Sequence, residues 1–344
     1  ALPMNVIYDQ GTITALVKYL RRVRGGHNLE ERNGEETQLR SMRQLAEKYS
    51  AFGDIEIKPR IWQGNAVVLT GATGFLGAHI LNLLRGDARV NKVYCLLRAE
   101  CLQSTHERVS KALVDRTMPG LENFEESETY DGKIVCIPCD LSSEGLGLSE
   151  EQRQRITDET FIIIHSAWAV NFNLRLNSFE DQIVATQNLL KLAAIAQARL
   201  TFVSSTAAVS NSTSTPIQER ISQDPSEASP MGYSRSKWVA EQVCESANKQ
   251  FMSDVDNLAT VVRIGQLCSN DAGIWNASEA YPLLLSTARV AGCLPDIPHE
   301  TLSWLPVEEA AQSVMDIAFS GHVTKPENGE SLSVTETRFY QVLN

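Results

Sequence analysis

The sequence predicts an α/β fold, a doubly wound parallel sheet of the Rossmann type with a smaller C-terminal lobe. Three observations carry that expectation. An apolar run from Ala66 to Leu69 leads into glycines at 71, 74 and 77, then into apolar positions at helical spacing. Further apolar runs end near Leu97, Leu141, His165 and Ser205 with helical patterns between them, and such alternation reads as strands joined by crossover helices. From Cys268 the alternation breaks down into a stretch rich in Gly, Asn and Pro.

Composition narrows the class. At 344 residues there is room for one large domain with a smaller lobe, or for two domains. With 43% hydrophobic and 21% charged residues the chain reads as an ordinary globular protein. A net charge of −11 argues against nucleic acid and against anionic membrane surfaces, both of which select a basic face. The longest apolar stretch, near Phe161 to Val170, contains His165 and Ser166 and is far short of a bilayer span. No signal-peptide pattern is visible. The seven cysteines are scattered, and Cys136-x-x-Cys139 has no second pair at zinc-ribbon spacing. Buried strand thiols, no metal and a reducing, cytoplasmic setting are therefore expected.

In chain order, Ile13, Leu16, Val17 and Leu20 give residues 1–24 an amphipathic helix that closes on a basic cluster. Residues 25–59 read as a polar, charge-rich linker holding a helix through Leu39 to Tyr49. A nucleotide-binding domain is expected over 60–267 and a substrate lobe over 268–344.

The glycine turn allows the backbone to approach a pyrophosphate, whose charge the free N–H groups and positive end of the following helix stabilise. The second strand, Val93 to Leu97, ends at Arg98, where an NAD-type site usually carries Asp or Glu on the ribose. A guanidinium there pairs with a 2′-phosphate, so the expected cofactor is NADPH. Arg108 falls on the next helix. Asp140, at the end of the 133–141 strand, is either an acceptor for the adenine amino group or a turn residue.

Tyr233 and Lys237 stand one helical turn apart in Gly232-Tyr-Ser-Arg-Ser-Lys237. Bringing a tyrosine from pKa about 10 to near 7 takes about 4 kcal/mol. A lysine charge about 4 Å away at an effective dielectric of about 20 supplies roughly that. The pair follows the Ser204-Ser205-Thr206 strand end, which follows the dinucleotide turn, in the order that a short-chain dehydrogenase requires.

The chain resembles the extended short-chain dehydrogenase/reductases. More narrowly, it resembles the terminal thioester reductase domains of nonribosomal-peptide-synthetase-like and polyketide synthases, especially the fungal type with adenylation, carrier and reductase domains. The likeness covers about residues 60–344. It rests on Gly71-Ala-Thr-Gly74-Phe-Leu-Gly77, Cys95-Leu-Leu-Arg98, Asp140-Leu141, His165-Ser-Ala-Trp-Ala-Val-Asn-Phe172, Ser204-Ser-Thr206, Gly232-Tyr-Ser-Arg-Ser-Lys237 and Arg263-Ile-Gly-Gln266. Residues 1–24 resemble the last helix of an acyl or peptidyl carrier domain, with a plain amphipathic extension as the alternative.

The resemblance implies reduction of a carrier-bound acyl or peptidyl thioester to an aldehyde, possibly on to an alcohol, with a phosphopantetheinylated carrier as partner. It implies catalysis by Thr206, Tyr233 and Lys237. It implies cofactor contacts at Gly71, Thr73, Gly74, Phe75, Leu76, Gly77, Arg98, Arg108, Asp140, Leu141, His165 and Lys237. Trp168, Asn171, Phe172 and Gln266 are the expected substrate residues. The runner-up is a stand-alone extended short-chain enzyme acting on a free ketone or sugar nucleotide. Arg263 reads either as an anchor for the lobe or as half of an ion pair. Since family members generally continue past a strand like Arg338 to Leu343, the substrate lobe is expected to be incomplete.

Overall fold

The computed structural model describes residues 12–24, 29–57, 64–121, 129–130, 132–251, 257–277, 279–294, 296, 302–320 and 337–344. Strand β1 (Ala66–Thr70) buries every side chain, and its alternate residues feed two different cores. Ala66 and Val68 face one, Val67 and Leu69 the other, as the two-residue period of a strand requires.

In chain order the helices are α1 (Ile13–Arg24), α2 (Leu29–Tyr49), α3 (Phe75–Gly86), α4 (Leu102–Val114), α5 (Glu150–Glu159), α6 (Glu180–Ala196), α7 (Gly232–Phe251), α8 (Ala280–Ala291) and α9 (Val307–Phe319). After β1 come β2 (Lys92–Leu97), β3 (Thr129–Tyr130), β4 (Ile134–Pro138), β5 (Thr160–His165), β6 (Arg199–Ser205), β7 (Ala259–Ile264), β8 (Gln266–Cys268), β9 (Trp304–Pro306) and β10 (Arg338–Val342). The main sheet runs β10-β7-β6-β5-β1-β2-β4-β3, parallel throughout except where β3 pairs antiparallel with β4. Val68 sits between Tyr94 of β2 and Ile163 of β5, so the chain winds outward in opposite directions from β1. That reversal opens a crevice at the carboxyl ends of β1 and β5, where ligands bind in such sheets. This is the α/β, doubly wound architecture expected from the sequence. β8 and β9 form a separate two-stranded sheet, with Leu305 buried in and Leu267 packed against one of the two main cores.

Residues 35–57, expected within a polar linker, are firmly packed. Met42, Ala46, Tyr49 and Phe52 are buried in the core that also holds Trp238 and Phe251 of α7. The Tyr49 hydroxyl and Lys48 ammonium both donate to Glu180 at the start of α6, at 2.5 and 2.7 Å. Arg235 of α7 donates to Glu35 of α2. The helix expected over 39–49 starts earlier, at Leu29, and its apolar side at 42, 46 and 49 is buried rather than part of a linker. In α1, Ile13, Val17 and Leu20 remain exposed.

One buried ion pair ties the catalytic-end elements together. Arg263 on β7 and Glu241 on α7 are both fully buried and meet at 2.6 and 3.0 Å, and Ser204 of β6 donates to the same carboxylate at 2.6 Å. Of the two readings of Arg263, this is the ion pair. No described helix is long and apolar enough to cross a membrane. Glu241→Gln leaves the Arg263 charge buried without its counter-ion and is expected to cost about 3–5 kcal/mol. Urea unfolding, with the midpoint lowered at unchanged slope, checks this.

Candidate active site

The glycine turn is shaped by close approaches. Gly71 has φ of +78°, and a Cβ there would meet Ala167 N and the Ser166 carbonyl carbon at 2.7 Å. A Cβ on Gly77 would fall 2.0 Å from Gly71 O, so α3 can lie this near β1 only with glycine at 77. Gly74 caps α3 without a side-chain acceptor, which leaves first-turn N–H groups for an anion. Over this turn lies a cleft of about 300 Å³, lined by Gly71, Thr73, Gly74, Leu97, Arg98, Arg108, Asp140 and Leu141 on one side and by residues 166–169 and α6 on the other. A glycine cradle, an uncapped helix end and basic side chains form a donor set that fits a dinucleotide.

The expected cofactor residues divide by placement. Phe75 and Leu76 bury their side chains in the core, so only their backbone N–H groups are available to a ligand. Arg98 is exposed at the end of β2, and Arg108 donates to its carbonyl at 2.5 Å. Both line a shallow recess with Glu100 and Ser104. Asp140 accepts from the hydroxyls of Ser142 and Ser143, each at 2.7 Å, which also hold its carboxyl below the usual range. This is the geometry of a turn residue, in a side chain that also lines the cleft.

His165 needs correction as a cofactor contact. It is 1% exposed, with Nδ1 2.7 Å from Thr70 Oγ1 and Nε2 3.2 Å from Thr186 Oγ1. Thr186 spends its proton on Gln182 O, so Nε2 carries the ring hydrogen and Nδ1 accepts from Thr70. Thr70 Oγ1 in turn accepts from Ala167 N at 3.2 Å. The imidazole therefore acts from behind the cleft, holding the segment that lines it. Burial, and then the Lys237 charge, push its pKa down to about 3.

Tyr233 and Lys237 share a face of α7, and Gly232 just before them lets the chain at 174–176 pass at a distance that a Cβ would fill, 2.2 Å from Leu174 O. The expected electrostatics are reversed. Burial raises the Tyr233 phenol to about 12, with the Glu279 charge adding to the rise and a hydrogen bond from Ser205 opposing it. Lys237 is lowered well below its usual range by the same burial. Its Nζ donates to Val203 O at 2.7 Å and lies over the Trp168 and Phe202 rings, 6.0 Å from the centre of the tyrosine ring. A desolvated ammonium is itself destabilised, so it does not bring the phenol toward neutrality. Tyr233 therefore stays protonated at neutral pH.

Thr206 opens a short turn after β6, where its neighbour Ser205 accepts from Ala207 N at 3.2 Å and acts to lower the Tyr233 pKa. Trp168 donates to Ser236 Oγ at 3.2 Å and lines the cleft, and Phe172 packs edge-on against Tyr233 with ring centres 5.2 Å apart. Asn171 is exposed, its Oδ1 accepting from Asn173 N at 3.0 Å. Gln266 reaches Glu279 at 3.4 Å, beside Trp275, Tyr281 and Trp304. Sequence reasoning missed Ser205, Glu279 and Ser166. Ser205 was legible beside Thr206, whereas Glu279 read only as a residue before a helix.

A profile of NAD-binding domains described as male sterility protein matches residues 69–314. The non-canonical non-ribosomal peptide synthetase ascB of Acremonium egyptiacum is 30% identical over 329 residues, 93% of this chain and 30% of its own. The adenylate-forming reductase stbB of Stachybotrys bisbyi is 33% identical over 291 residues, 81% of this chain and 26% of its own. The chain thus spans under a third of the length of these curated relatives. Among solved structures, the terminal R domain from the myxalamid PKS-NRPS biosynthetic pathway superposes with a TM-score of 0.71 at 25% identity, over 88% of this chain and 72% of that one.

The depressed His165 pKa has a definite sign. The folded state resists protonation, so its stability is complete above about pH 6.5 and is lost as pH falls toward 3. Between those limits wild type should lose up to about 1.4 kcal/mol more per pH unit than His165→Asn. Denaturation midpoints for both proteins from pH 7 to pH 4 check the difference in slope.

Proposed function

The chain belongs to the male sterility protein family of NAD-binding domains, and from that premise we propose that it is an NADPH-dependent reductase acting on an acyl or peptidyl thioester carried by phosphopantetheine. The reading rests on one juxtaposition, Tyr233 and Lys237 at the start of α7 packed against the turn that Thr206 opens, with Lys237 lying over Trp168, which lines the cleft above the glycine turn. What favours a carrier-bound substrate is the likeness to synthetase and adenylate-forming reductase chains of which this one matches a fraction. In this reading residues 1–24 belong to a preceding carrier unit and 268–344 to the substrate lobe. The nucleotide-binding unit begins before residue 60, because α2 packs on α6 and α7. Seven free cysteines suit a reducing cytoplasmic setting.

When bound, a dihydronicotinamide supplies a hydride at this site. The chain's own residues do the remaining work. Thr206 and Tyr233 donate hydrogen bonds to the thioester carbonyl oxygen, where negative charge develops as the carbon becomes tetrahedral. Tyr233 then passes its proton to that oxygen, a transfer that its high pKa delays until the oxyanion has become the stronger base. The hemithioacetal collapses by breaking its carbon–sulfur bond, releasing the pantetheine thiol and leaving an aldehyde. A second round gives an alcohol. Lys237, held by Val203 O against Trp168, hydrogen-bonds the nicotinamide ribose. Arg98 and Arg108 bind the 2′-phosphate, and Trp168, Asn171, Phe172 and Gln266 border the substrate's route.

The decisive assay supplies an acyl-pantetheine thioester with NADPH and follows 340-nm absorbance together with free thiol. One thiol released per NADPH oxidised is expected where the product is the aldehyde, and one per two NADPH where it is the alcohol; oxidation without thiol release would sink the reading in favour of a free-ketone reductase. Tyr233→Phe should lower turnover at least 100-fold with cofactor affinity unchanged, as titration would show. Arg98→Ala should erase roughly 10- to 100-fold of preference for NADPH over NADH, measured as a ratio of dissociation constants.

A further inference from the structure

Arg116, in the turn after α4, is a cation placed against the cradle, within reach of the Asp115 charge but in no ion pair among the described residues. Its Nη2 donates to Thr73 O at 3.3 Å, and its guanidinium lies 5.8 Å from the centre of the Phe75 ring, so it touches both the turn and the first residue of α3. Nη1 donates to Ala112 O, while Nε is buried without a partner. Among the described residues Arg116 makes no ion pair. Its neighbour Asp115 is engaged by Lys111 at 2.8 Å. The turn itself is firmly built: Asn270 donates to Arg116 O at 3.1 Å, and Thr117 takes a left-handed φ of +64°.

The electrostatics of that position are unfavourable as they stand. A half-buried guanidinium, its pKa lowered by desolvation, faces the positive end of α3, whose first-turn N–H groups have no side-chain cap. An anion between two positive features sharing one half-buried place stabilises both at once, beyond what the carbonyls of Thr73 and Ala112 supply. The long 3.3 Å bond to Thr73 O is weak enough to be exchanged for a charge-assisted one.

We propose that Arg116 is a ligand of the phosphate group seated on the glycine turn, pairing with the diphosphate of the dinucleotide while Arg98 and Arg108 take the 2′-phosphate. This rests on the cofactor reading above and extends it to a residue at the far end of α4. The division of labour is specific. Arg98 selects between cofactors, whereas Arg116 strengthens any dinucleotide equally, since the diphosphate is common to both.

Calorimetric titration of the full chain with NADPH, NADH and adenosine 2′-monophosphate separates the roles. Arg116→Gln should weaken both dinucleotides about tenfold, leave their ratio as in wild type and leave the monophosphate unaffected. Arg116→Lys, which keeps the charge and loses the fork, should fall between the two and guards against a folding defect in the glutamine variant. Dinucleotide affinities within twofold of wild type in both variants would overturn the proposal, as would an equal loss for the monophosphate. The other source of such an anion is the pantetheine phosphodiester. If Arg116→Gln raised KM for a phosphopantetheine thioester but not for its dephosphorylated form, at unchanged dinucleotide affinity, the cofactor assignment would be wrong. Wild type that bound no dinucleotide would overturn the cofactor reading itself, whereas the other failures concern Arg116 alone.

Discussion

The contact on which the cleft depends is the passage of residues 166–167 over Gly71. With no side chain at 71, Ser166 N reaches Thr70 O at 3.3 Å and Ala167 N reaches Thr70 Oγ1 at 3.2 Å. The end of β5 is thereby locked to the end of β1 at the point where the sheet changes direction. A methyl group at 71 would push the segment outward and take with it Trp168, which borders the cleft and covers Lys237. His165 completes the lock from inside by orienting the Thr70 hydroxyl.

Behind the cleft, the charges are arranged to be quiet until a ligand arrives. Tyr233 is held as a phenol and Lys237 is destabilised as a cation, both by burial. The full opposite pair, Arg263 with Glu241, is kept one turn of α7 away and satisfied by Ser204 and by the backbone oxygen of Arg220. The helix is thus anchored by one ion pair at its buried flank and left with weakly charged groups at its working end. Such a site gains its electrostatic character from what binds, because desolvated groups respond strongly to a new neighbouring charge. α2 contributes to the same rigidity, pinning α7 through Arg235 and α6 through Glu180.

Much of this was legible in the residues. The strand, glycine turn and helix at 66–86 follow from local apolar spacing, and the parallel, doubly wound character of the sheet follows from the alternation of strands with helices. The pairing of Tyr233 and Lys237 on one helical face is likewise a matter of period. The helix through 39–49 was legible, but its packing into the main core was not, because the segment's composition is charged and its buried positions, Met42, Ala46, Tyr49 and Phe52, are few. Nor was Glu279, which reads as a plain residue before a helix until β8 and β9 bring Gln266 and Trp304 around it. Asp140 shows the intermediate case: its position at a strand end was evident, but the capture of its carboxylate by Ser142 and Ser143 is a property of the folded turn.

The sequence by itself determined the fold class, the cofactor cradle and the identity of the residues on α7, since these depend on period and on the conformational reach of glycine. Tertiary structure decided which way burial shifts those residues and which partners His165 and Arg116 meet. Whether a group is charged, and which atoms it faces, depends on desolvation by neighbours far away in the chain, and local spacing carries no record of that.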